Sequence, residues 1–233
     1  MTVQKDGAYA VLTEAPGGQV SVEGANMLFS RYTYGARVGN GGRLLEIGCG
    51  PGVGLGLLSA SASFTVGADY DSTLLKRAQE TYGPRIPLVR LDAQRLPFLD
   101  GFFDTVLFYE GSYYVSDMEL AFDEILRVLG PGGRMILVNA NPERPDFIPG
   151  SLSVHYHTAE EFRTALESRG FWVLIEGAYP VGVGTALSWF FVTARRLASR
   201  LRLIPSTLMG RTLLKRILGV KLIPVPSEIP DDF

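Results

Sequence analysis

The segment LLEIGCGPGVG, residues 44–54, combines four closely spaced glycines with one acidic residue. Glycines in such a loop can adopt a positive φ and let the main chain approach a ligand closely. A predicted helix begins after the loop, and the first turn of a helix has unpaired amide groups. Glu46 precedes the first glycine by two residues, and its carboxylate attracts cationic groups and repels phosphates. The loop is therefore predicted to bind a ligand that carries positive charge.

A dinucleotide is the main alternative ligand for a glycine-rich loop after a strand. The fingerprint G-x-G-x-x-G requires a glycine at position 53, 55 or 57, depending on which glycine comes first. Those positions hold Val53, Leu55 and Leu57. The spacing argues against NAD, whereas S-adenosylmethionine, with its ammonium and sulfonium groups, suits Glu46.

Alternating predicted strands and helices position this loop. Short apolar segments rich in β-branched and aromatic residues predict strands at 43–48, 63–69, 86–92, 104–110 and 133–139. Apolar residues that recur three or four positions apart predict helices at 54–62, 72–83, 117–130 and 158–170. Thr158 and Glu161 fit a capping box at the start of the last helix. The alternation predicts an α/β doubly wound fold with a mostly parallel sheet.

Four motifs, in order, resemble the class I S-adenosylmethionine-dependent methyltransferase family. LLEIGCGPGVG matches the family pattern E/D-x-G-x-G-x-G. It is followed by VGADYDSTLLKRA (66–78), RLDAQRLPFLDGFFDTVLFYEG (90–111) and EILRVLGPGGRMILV (124–138). The resemblance covers residues 43–177 and implies a Rossmann-like, mostly parallel seven-stranded sheet. It also implies S-adenosyl-L-methionine as the cofactor and methyl transfer to a small-molecule acceptor as the activity.

The resemblance assigns roles to residues at the ends of strands. Glu46, Gly48 and Gly50 would lie near the methionine part of the cofactor, and Cys49, a small packing residue of the same loop, is grouped with these cofactor-binding positions. Asp69 would accept hydrogen bonds from the ribose hydroxyls. The other cofactor positions are Tyr70 against the adenine, Asp92 and Ala93 at the adenine edge, and Phe108 and Tyr109 beside the reacting methyl group.

Methyl transfer is an in-line displacement, and positioning of the two partners supplies much of its rate enhancement. An amine acceptor needs no base, whereas a phenol or an activated carbon benefits from one. The candidate catalytic residues are Glu110 and Tyr113, after the fourth predicted strand, and His155, before the last predicted helix. The alternative roles are structural: a satisfied polar side chain at a strand end, or support of a helix start. No metal is expected, and the single cysteine Cys49 excludes a cysteine-built metal site.

Positive charge is concentrated late in the sequence. Residues 177–227 contain eight Lys or Arg and no Asp or Glu, although the formal net charge of the chain is −2. Segments 171–177 and 221–229 are the predicted sixth and seventh strands, so the basic residues form an insertion between them. The sequence is divided accordingly into an N-terminal helical cap (1–42), a catalytic domain that binds the cofactor (43–177), a basic amphipathic helical insertion or lid (178–220) and a last strand and tail (221–233).

Two interpretations of the basic insertion remain open. Residues 185–219 either lie on an anionic membrane surface or form a lid that packs on the catalytic domain. The first favours methyl transfer to a small, apolar or lipid-like acceptor, and the second favours a soluble methyltransferase of secondary metabolites. A protein that binds the cofactor without turnover is a third hypothesis, and nucleic acid is disfavoured because the catalytic part is acidic. The N-terminal sequence lacks a secretory signal pattern, so a cytoplasmic location is expected, with peripheral membrane association under the first interpretation.

Liposome binding distinguishes these two interpretations. If residues 185–219 bind anionic lipid, the protein should co-sediment with phosphatidylserine vesicles at low salt, since each basic residue near the surface contributes about 1 kcal/mol. A chain that lacks residues 185–219 should then stay in the supernatant, and neutral vesicles provide the control. Failure of the full chain to sediment with anionic vesicles would contradict the membrane interpretation.

Overall fold

The five predicted strands form one parallel sheet. The computed structural model describes residues 8–9, 15–144, 147, 149–150, 152–177, 215–216 and 219–229. Its strands are β1 (Gln19–Ser21), β2 (Arg43–Ile47), β3 (Phe64–Asp69), β4 (Leu88–Arg90), β5 (Phe103–Tyr109), β6 (Leu129–Val138) and β7 (Leu222–Pro224). The main sheet has the order β4-β3-β2-β5-β6, with every neighbouring pair parallel. The segments that follow these five strands therefore meet at one edge, where α/β sheets bind ligands.

Helices connect the strands. They are α1 (Val22–Val38), α2 (Leu55–Ser61), α3 (Ser72–Tyr82), α4 (Met118–Val128) and α5 (Ala159–Glu167). Each of these helices except α2 begins after a residue whose side chain caps the first turn. Ser21, Asp71 and Asp117 each accept a hydrogen bond from a first-turn amide of the helix that they precede. The predicted capping box of α5 is confirmed, because Thr158 and Glu161 each bind the other's amide.

Apolar clusters cover both faces of the sheet. On one face α4 and α5 pack on the strands, through residues that include Val106, Phe122, Ile125 and Leu166. On the other face α1 and α2 do so, through residues that include Leu28, Phe29, Leu58 and Leu107. Val106 and Leu107 are consecutive in β5 and belong to opposite faces, as expected for a strand buried on both sides. The α/β doubly wound prediction is confirmed.

The described part of the main sheet has five strands, whereas the sequence predicts seven. Residues 171–177 are not assigned to a strand. Phe171 and Val173 pack against the core, whereas Trp172 is 84% exposed. The segment predicted as the sixth strand therefore packs one side on the core without joining the described sheet.

The predicted last strand forms, but it joins a different sheet. β7 pairs antiparallel with β1 in a separate two-stranded sheet. Ile229, just beyond β7, is 1% exposed, and its amide donates to the Val53 carbonyl at 3.2 Å. The segment after β7 thus supports the glycine loop instead of extending the main sheet.

Most of the basic insertion predicted at 178–220 lies outside the described residues, and only 215–216 and 219–220 are described. Its two interpretations therefore stay predictions. Within the described ranges, no helix has both the length and the apolar character needed to cross a membrane.

Tyr82, the last residue of α3, supports the glycine loop through hydrogen bonds of its hydroxyl group. Its side chain is 1% exposed, and its hydroxyl donates to the Gly52 carbonyl at 2.6 Å and accepts from the Gly56 amide at 3.2 Å. A Cβ on Gly52 would lie 2.8 Å from the Tyr82 ring, which is closer than real Cβ contacts allow. One buried hydroxyl therefore satisfies two main-chain groups at the start of α2.

Replacing Tyr82 tests this support. Tyr82→Phe is expected to lower the free energy of unfolding by about 1–3 kcal/mol, because two buried main-chain groups lose their partner. Urea denaturation measures the change. Tyr34→Phe removes a hydroxyl from the 38% exposed Tyr34 on α1 and should change the stability by less than about 0.5 kcal/mol. Equal stability of the two variants would contradict the role given to the Tyr82 hydroxyl.

Candidate active site

The glycine loop after β2 is fixed to the end of β3 by main-chain hydrogen bonds. Asp69, the last residue of β3, accepts from the Gly50 amide and from the Asp71 amide, each at 2.8 Å. The Cys49 amide donates to the Ala68 carbonyl at 2.9 Å. Burial raises the pKa of Asp69, although both amide hydrogen bonds oppose that shift. Each carboxylate oxygen can accept a further hydrogen bond, so Asp69 offers a fixed pair of acceptors at the sheet edge.

The glycines of the loop serve two purposes. Gly50 has a φ of 57°, and a Cβ there would meet no atom within 4 Å, so this part of the loop borders open space. Gly52 and Gly54 instead accommodate tyrosine rings, because a Cβ on Gly52 would crowd Tyr82 and one on Gly54 would overlap Tyr32. The sequence predicts close approach of a ligand at all four glycines, whereas Gly52 and Gly54 are needed for packing within the protein.

Glu46 is fully buried beneath the loop. Its Oε1 accepts a hydrogen bond from the Tyr32 hydroxyl of α1 at 2.6 Å. Its Oε2 has no hydrogen-bond partner among the described residues. Burial raises the pKa of Glu46 to about 7, and the Tyr32 hydrogen bond and the Arg31 charge oppose this rise. A cation beside Glu46 would therefore stabilise its carboxylate form.

The predicted adenine-side residues lie at two adjacent strand ends. Tyr70 follows Asp69 and is 41% exposed. Asp92 follows β4, and its Oδ1 accepts from the Gln94 amide at 2.9 Å. Ala93 is buried in the core beside it. The exposed Tyr70 ring, next to the fixed Asp69 carboxylate, suits a ligand in which an adenine base is joined to a ribose diol.

Cys49 packs inside the loop. It is 4% exposed and belongs to a cluster with Leu55, Leu75 and Tyr82. Burial raises the pKa of its thiol well above the usual value. Cys49 is therefore an apolar packing residue in this site, with a thiol that stays protonated.

Glu110 and Tyr113 form a hydrogen-bonded pair just after β5. The Tyr113 hydroxyl donates to Glu110 Oε2 at 3.2 Å. Glu110 has a φ of 49° and is the one non-glycine residue with a positive φ in the described part of the chain, at a cost of about 1–3 kcal/mol. The hydrogen bond from its amide to the Val138 carbonyl, at 2.7 Å, holds it there. Burial and then the Glu110 charge raise the pKa of Tyr113 far above its usual value, so Tyr113 is a donor and not a base.

Aromatic rings line the same edge beside this pair. Ring centroids are 4.9 Å apart for Tyr9 and Tyr114, 4.5 Å for Tyr114 and Tyr113, and 4.5 Å for Tyr113 and Tyr156. The Phe147 ring follows, 4.7 Å from that of Tyr156. We call these five rings the aromatic wall.

The aromatic wall reaches the cofactor side of the site. The Tyr9 amide donates to Asp71 Oδ2 at 3.3 Å, and Asp71 in turn donates its amide to Asp69. The Phe108 ring lies between the glycine loop and the segment after β5. A Cβ on Gly48 would be 3.6 Å from this ring, and one on Gly111 would be 2.6 Å from it. The loop after β2 and the wall therefore border one continuous edge.

The side chains of two predicted site residues make other contacts, although the His155 amide donates to the Tyr113 carbonyl at 3.4 Å. Tyr109 belongs to the opposite face of β5, and its hydroxyl donates to the Arg31 carbonyl at 3.1 Å. The His155 ring faces α5, with Nε2 at 3.7 Å from Glu161 Oε1 and its centroid 4.4 Å from that of His157. The contacts of the His155 ring thus differ from those of Glu110 and Tyr113.

Several tyrosines of this site were not predicted from the sequence. Tyr9, Tyr32 and Tyr156 come from segments outside the four motifs. Tyr32 alone had a usable signal, because it shares the buried face of α1 with Phe29 and Ala36 at helical spacing. Tyr9 and Tyr156 lie in segments without a periodic pattern, so only the fold brings them to the edge.

The residues at this edge fit S-adenosylmethionine. The buried Glu46 Oε2 suits a cationic group, and the Asp69 acceptor pair suits a ribose diol. The open space at Gly50 leaves room for the main chain to lie against a ligand. Within the described ranges, no cluster of His, Cys, Asp or Glu could hold a metal ion.

Comparisons of the sequence identify the same region. The family model described as a methyltransferase domain matches residues 45–137. A demethylmenaquinone methyltransferase of Clavibacter sepedonicus is 36% identical over 99 residues, which cover 42% of this chain and 40% of that protein. Phthiotriol/phenolphthiotriol dimycocerosates methyltransferase 1 of Mycobacterium ulcerans is 36% identical over 107 residues, which cover 44% of this chain and 39% of that protein. The match spans about two fifths of each relative, and the residues covered by the family model include the loops after β2, β3, β4 and β5.

A solved structure shows the same fold. The S-adenosylmethionine-dependent methyltransferase of Mesorhizobium loti superposes with a TM-score of 0.55 at 19% identity, over 64% of this chain and 83% of that one. Residues 45–137 therefore match the methyltransferase-domain family, and the fold is that of a solved S-adenosylmethionine-dependent methyltransferase.

Proposed function

We propose that this protein transfers the methyl group of S-adenosylmethionine to a small, predominantly apolar acceptor that binds against the aromatic wall. One observation carries the proposal: Tyr9 contacts Asp71 through its amide and Tyr114 through its ring. The aromatic wall is therefore built onto the strand end that carries Asp69. Aromatic rings beside the hydrogen-bonded pair of Glu110 and Tyr113 suit an apolar acceptor that has a single polar group.

The names of the two relatives support this class of acceptor. One acts on demethylmenaquinone and the other on phthiotriol and phenolphthiotriol dimycocerosates, according to those names. Both names denote lipid-like acceptors. Because the match covers less than half of either relative, the acceptor is inferred from the aromatic wall together with these names.

The residues of the chain would bind and orient the two reactants. When bound, S-adenosylmethionine supplies an electrophilic methyl group on its sulfonium. Glu46 would lie near the ammonium, Asp69 would hold the ribose and Tyr70 would cover the adenine. Positioning of the acceptor against the aromatic wall can contribute about 7–11 kcal/mol to lowering the barrier, provided that the reacting atoms are aligned.

Glu110 would act on the acceptor's polar group. The acceptor atom would form its bond to the methyl group as the bond from methyl to sulfur breaks, and the acceptor would lose a proton. Glu110 would accept that proton, and Tyr113, which stays protonated, would orient the Glu110 carboxylate. The strained φ of Glu110 favours such a role, because backbone strain is concentrated at functional sites.

Asp69→Asn tests the cofactor site. The variant should bind S-adenosylhomocysteine at least about tenfold more weakly than the native protein, since hydrogen bonds to a charged acceptor contribute about 1.5–3 kcal/mol. Titration calorimetry gives the dissociation constants. Asp104→Asn is the control, because Asp104 lies at the start of β5 and pairs with Arg43 at 3.2 Å. Unchanged affinity of the Asp69 variant would refute its placement at the ribose.

Incubation with methyl-labelled S-adenosylmethionine tests the reaction. Lipid and aqueous extracts of the source cell serve as acceptors, and the proposal expects label in the lipid extract. Glu110→Gln should lower the transfer rate by about 10²-fold or more while it leaves the affinity for S-adenosylhomocysteine unchanged.

The distribution of label discriminates among the hypotheses. Label in the aqueous extract alone would favour a methyltransferase of soluble metabolites over the proposed one. Label in neither extract, from a protein that binds S-adenosylhomocysteine, would favour cofactor binding without turnover.

A further inference from the structure

Tyr32 of α1 is well placed to act on the cofactor site through Glu46. We propose that Tyr32 is a positioning residue that keeps Glu46 ionised, so that the pH range of cofactor binding is set by one hydroxyl outside the methyltransferase motifs. The proposal rests on the proposed function for the identity of the ligand. It goes beyond that function because it concerns what controls the charge of the site.

The first support is the hydrogen bond itself. The Tyr32 hydroxyl donates to Glu46 Oε1 at 2.6 Å, within a site where Glu46 is 0% and Tyr32 is 5% exposed. A short hydrogen bond to a buried carboxylate is about twice as strong as one between neutral groups. It stabilises the ionised form of Glu46 specifically, because a protonated carboxyl is a poorer acceptor.

The second support is the close packing around the Tyr32 ring, which restricts the side chain to one position. A Cβ on Gly54 would overlap the Tyr32 ring, and a Cβ on Gly35 would overlap the Tyr109 hydroxyl. The Tyr32 and Tyr109 rings meet edge to face with centroids 5.3 Å apart. The two glycines thus let α1 lie close to the sheet, and the packed rings hold the Tyr32 hydroxyl at Glu46.

Two charged residues near Glu46 have opposite effects on its ionisation. Arg31, next to Tyr32 on α1, favours the ionised form, whereas Asp69 at the end of β3 opposes it. The remaining titratable groups near Glu46 are Cys49, Tyr82 and Tyr109, which burial keeps protonated. Glu46 Oε2 has no hydrogen-bond partner among the described residues. The hydroxyl of Tyr32 therefore donates the one hydrogen bond to Glu46 that the described structure shows.

The pH dependence follows from the sign of each effect. Burial raises the pKa of Glu46 to about 7, so Glu46 gains its charge as the pH rises through that value. A cationic ligand prefers the charged form, and its affinity should rise over the same range. Loss of the Tyr32 hydrogen bond would raise the pKa further and shift this increase in affinity to higher pH.

The experiment measures the binding of S-adenosylhomocysteine, which has the ammonium group and does not react, between pH 5.5 and 7.5. The upper limit stays below the pKa of an α-amino group, about 8. The native protein should bind about tenfold more tightly at pH 7.5 than at pH 5.5. Tyr32→Phe should bind about tenfold more weakly than the native protein at pH 7.5, with little difference at pH 5.5.

A double-mutant cycle separates positioning from simple packing. In a Glu46→Gln background, Tyr32→Phe should have almost no further effect on the dissociation constant, because no carboxylate remains to be stabilised. Tyr34→Phe, on the exposed side of α1, is the matched control and should leave affinity and pH profile unchanged. An equal loss of affinity in the native background and in the Glu46→Gln background would overturn the proposal.

A second measurement needs no ligand. In the free protein with ¹³C-labelled glutamate, the carboxyl titration of Glu46 should move to higher pH in Tyr32→Phe. An unmoved titration would also overturn the proposal. Failure of the native protein to bind S-adenosylhomocysteine at any pH would instead refute the proposed function, so the two failures are distinguishable.

Discussion

The acceptance of two main-chain hydrogen bonds by Asp69 is the constraint on which the site depends. One comes from the glycine loop and the other from the turn into α3, so a single carboxylate joins the ends of two neighbouring strands. The loop needs this connection because Gly48, Gly50 and Gly52 have positive φ values and no side chains that could hold the loop in place. Without it, the conformational freedom that suits glycine to ligand binding would be less restricted at Gly50. The side chain that the proposed function assigns to the ribose therefore also supports the loop.

The sequence predicts the parts of the fold that arise from local patterns. All five strands of the main sheet and the capped helix α5 were found because hydrophobic periodicity and capping are encoded within a few consecutive residues. The partner of β7 was not found, because strand pairing depends on segments that are distant in the sequence. Residues 171–177 show the same limit, since an apolar segment by itself does not identify a partner strand.

The candidate site divides in the same way. Asp69 and Glu46 were predicted because a motif fixes their distance from the glycines. The strained Glu110 was named from its position after a strand, but its φ and its bond with Tyr113 follow from the fold. The aromatic wall has no sequence signature, because its rings come from three segments that the sheet edge brings together. The motif regions thus provide the cofactor chemistry, and the remaining segments shape the space beside it.

The contact between Ile229 and Val53 has a consequence for the order of folding. It connects the segment after β7 to the glycine loop, and a long stretch of chain separates the two residues. Contacts of such high sequence separation form slowly, because the entropy of closing a long loop must be overcome first. The central strands can pair through shorter connections, so the glycine loop should receive its last support after the sheet has formed. In a refolding experiment followed by amide exchange, the Ile229 amide would then gain protection later than the amides of β2 and β3.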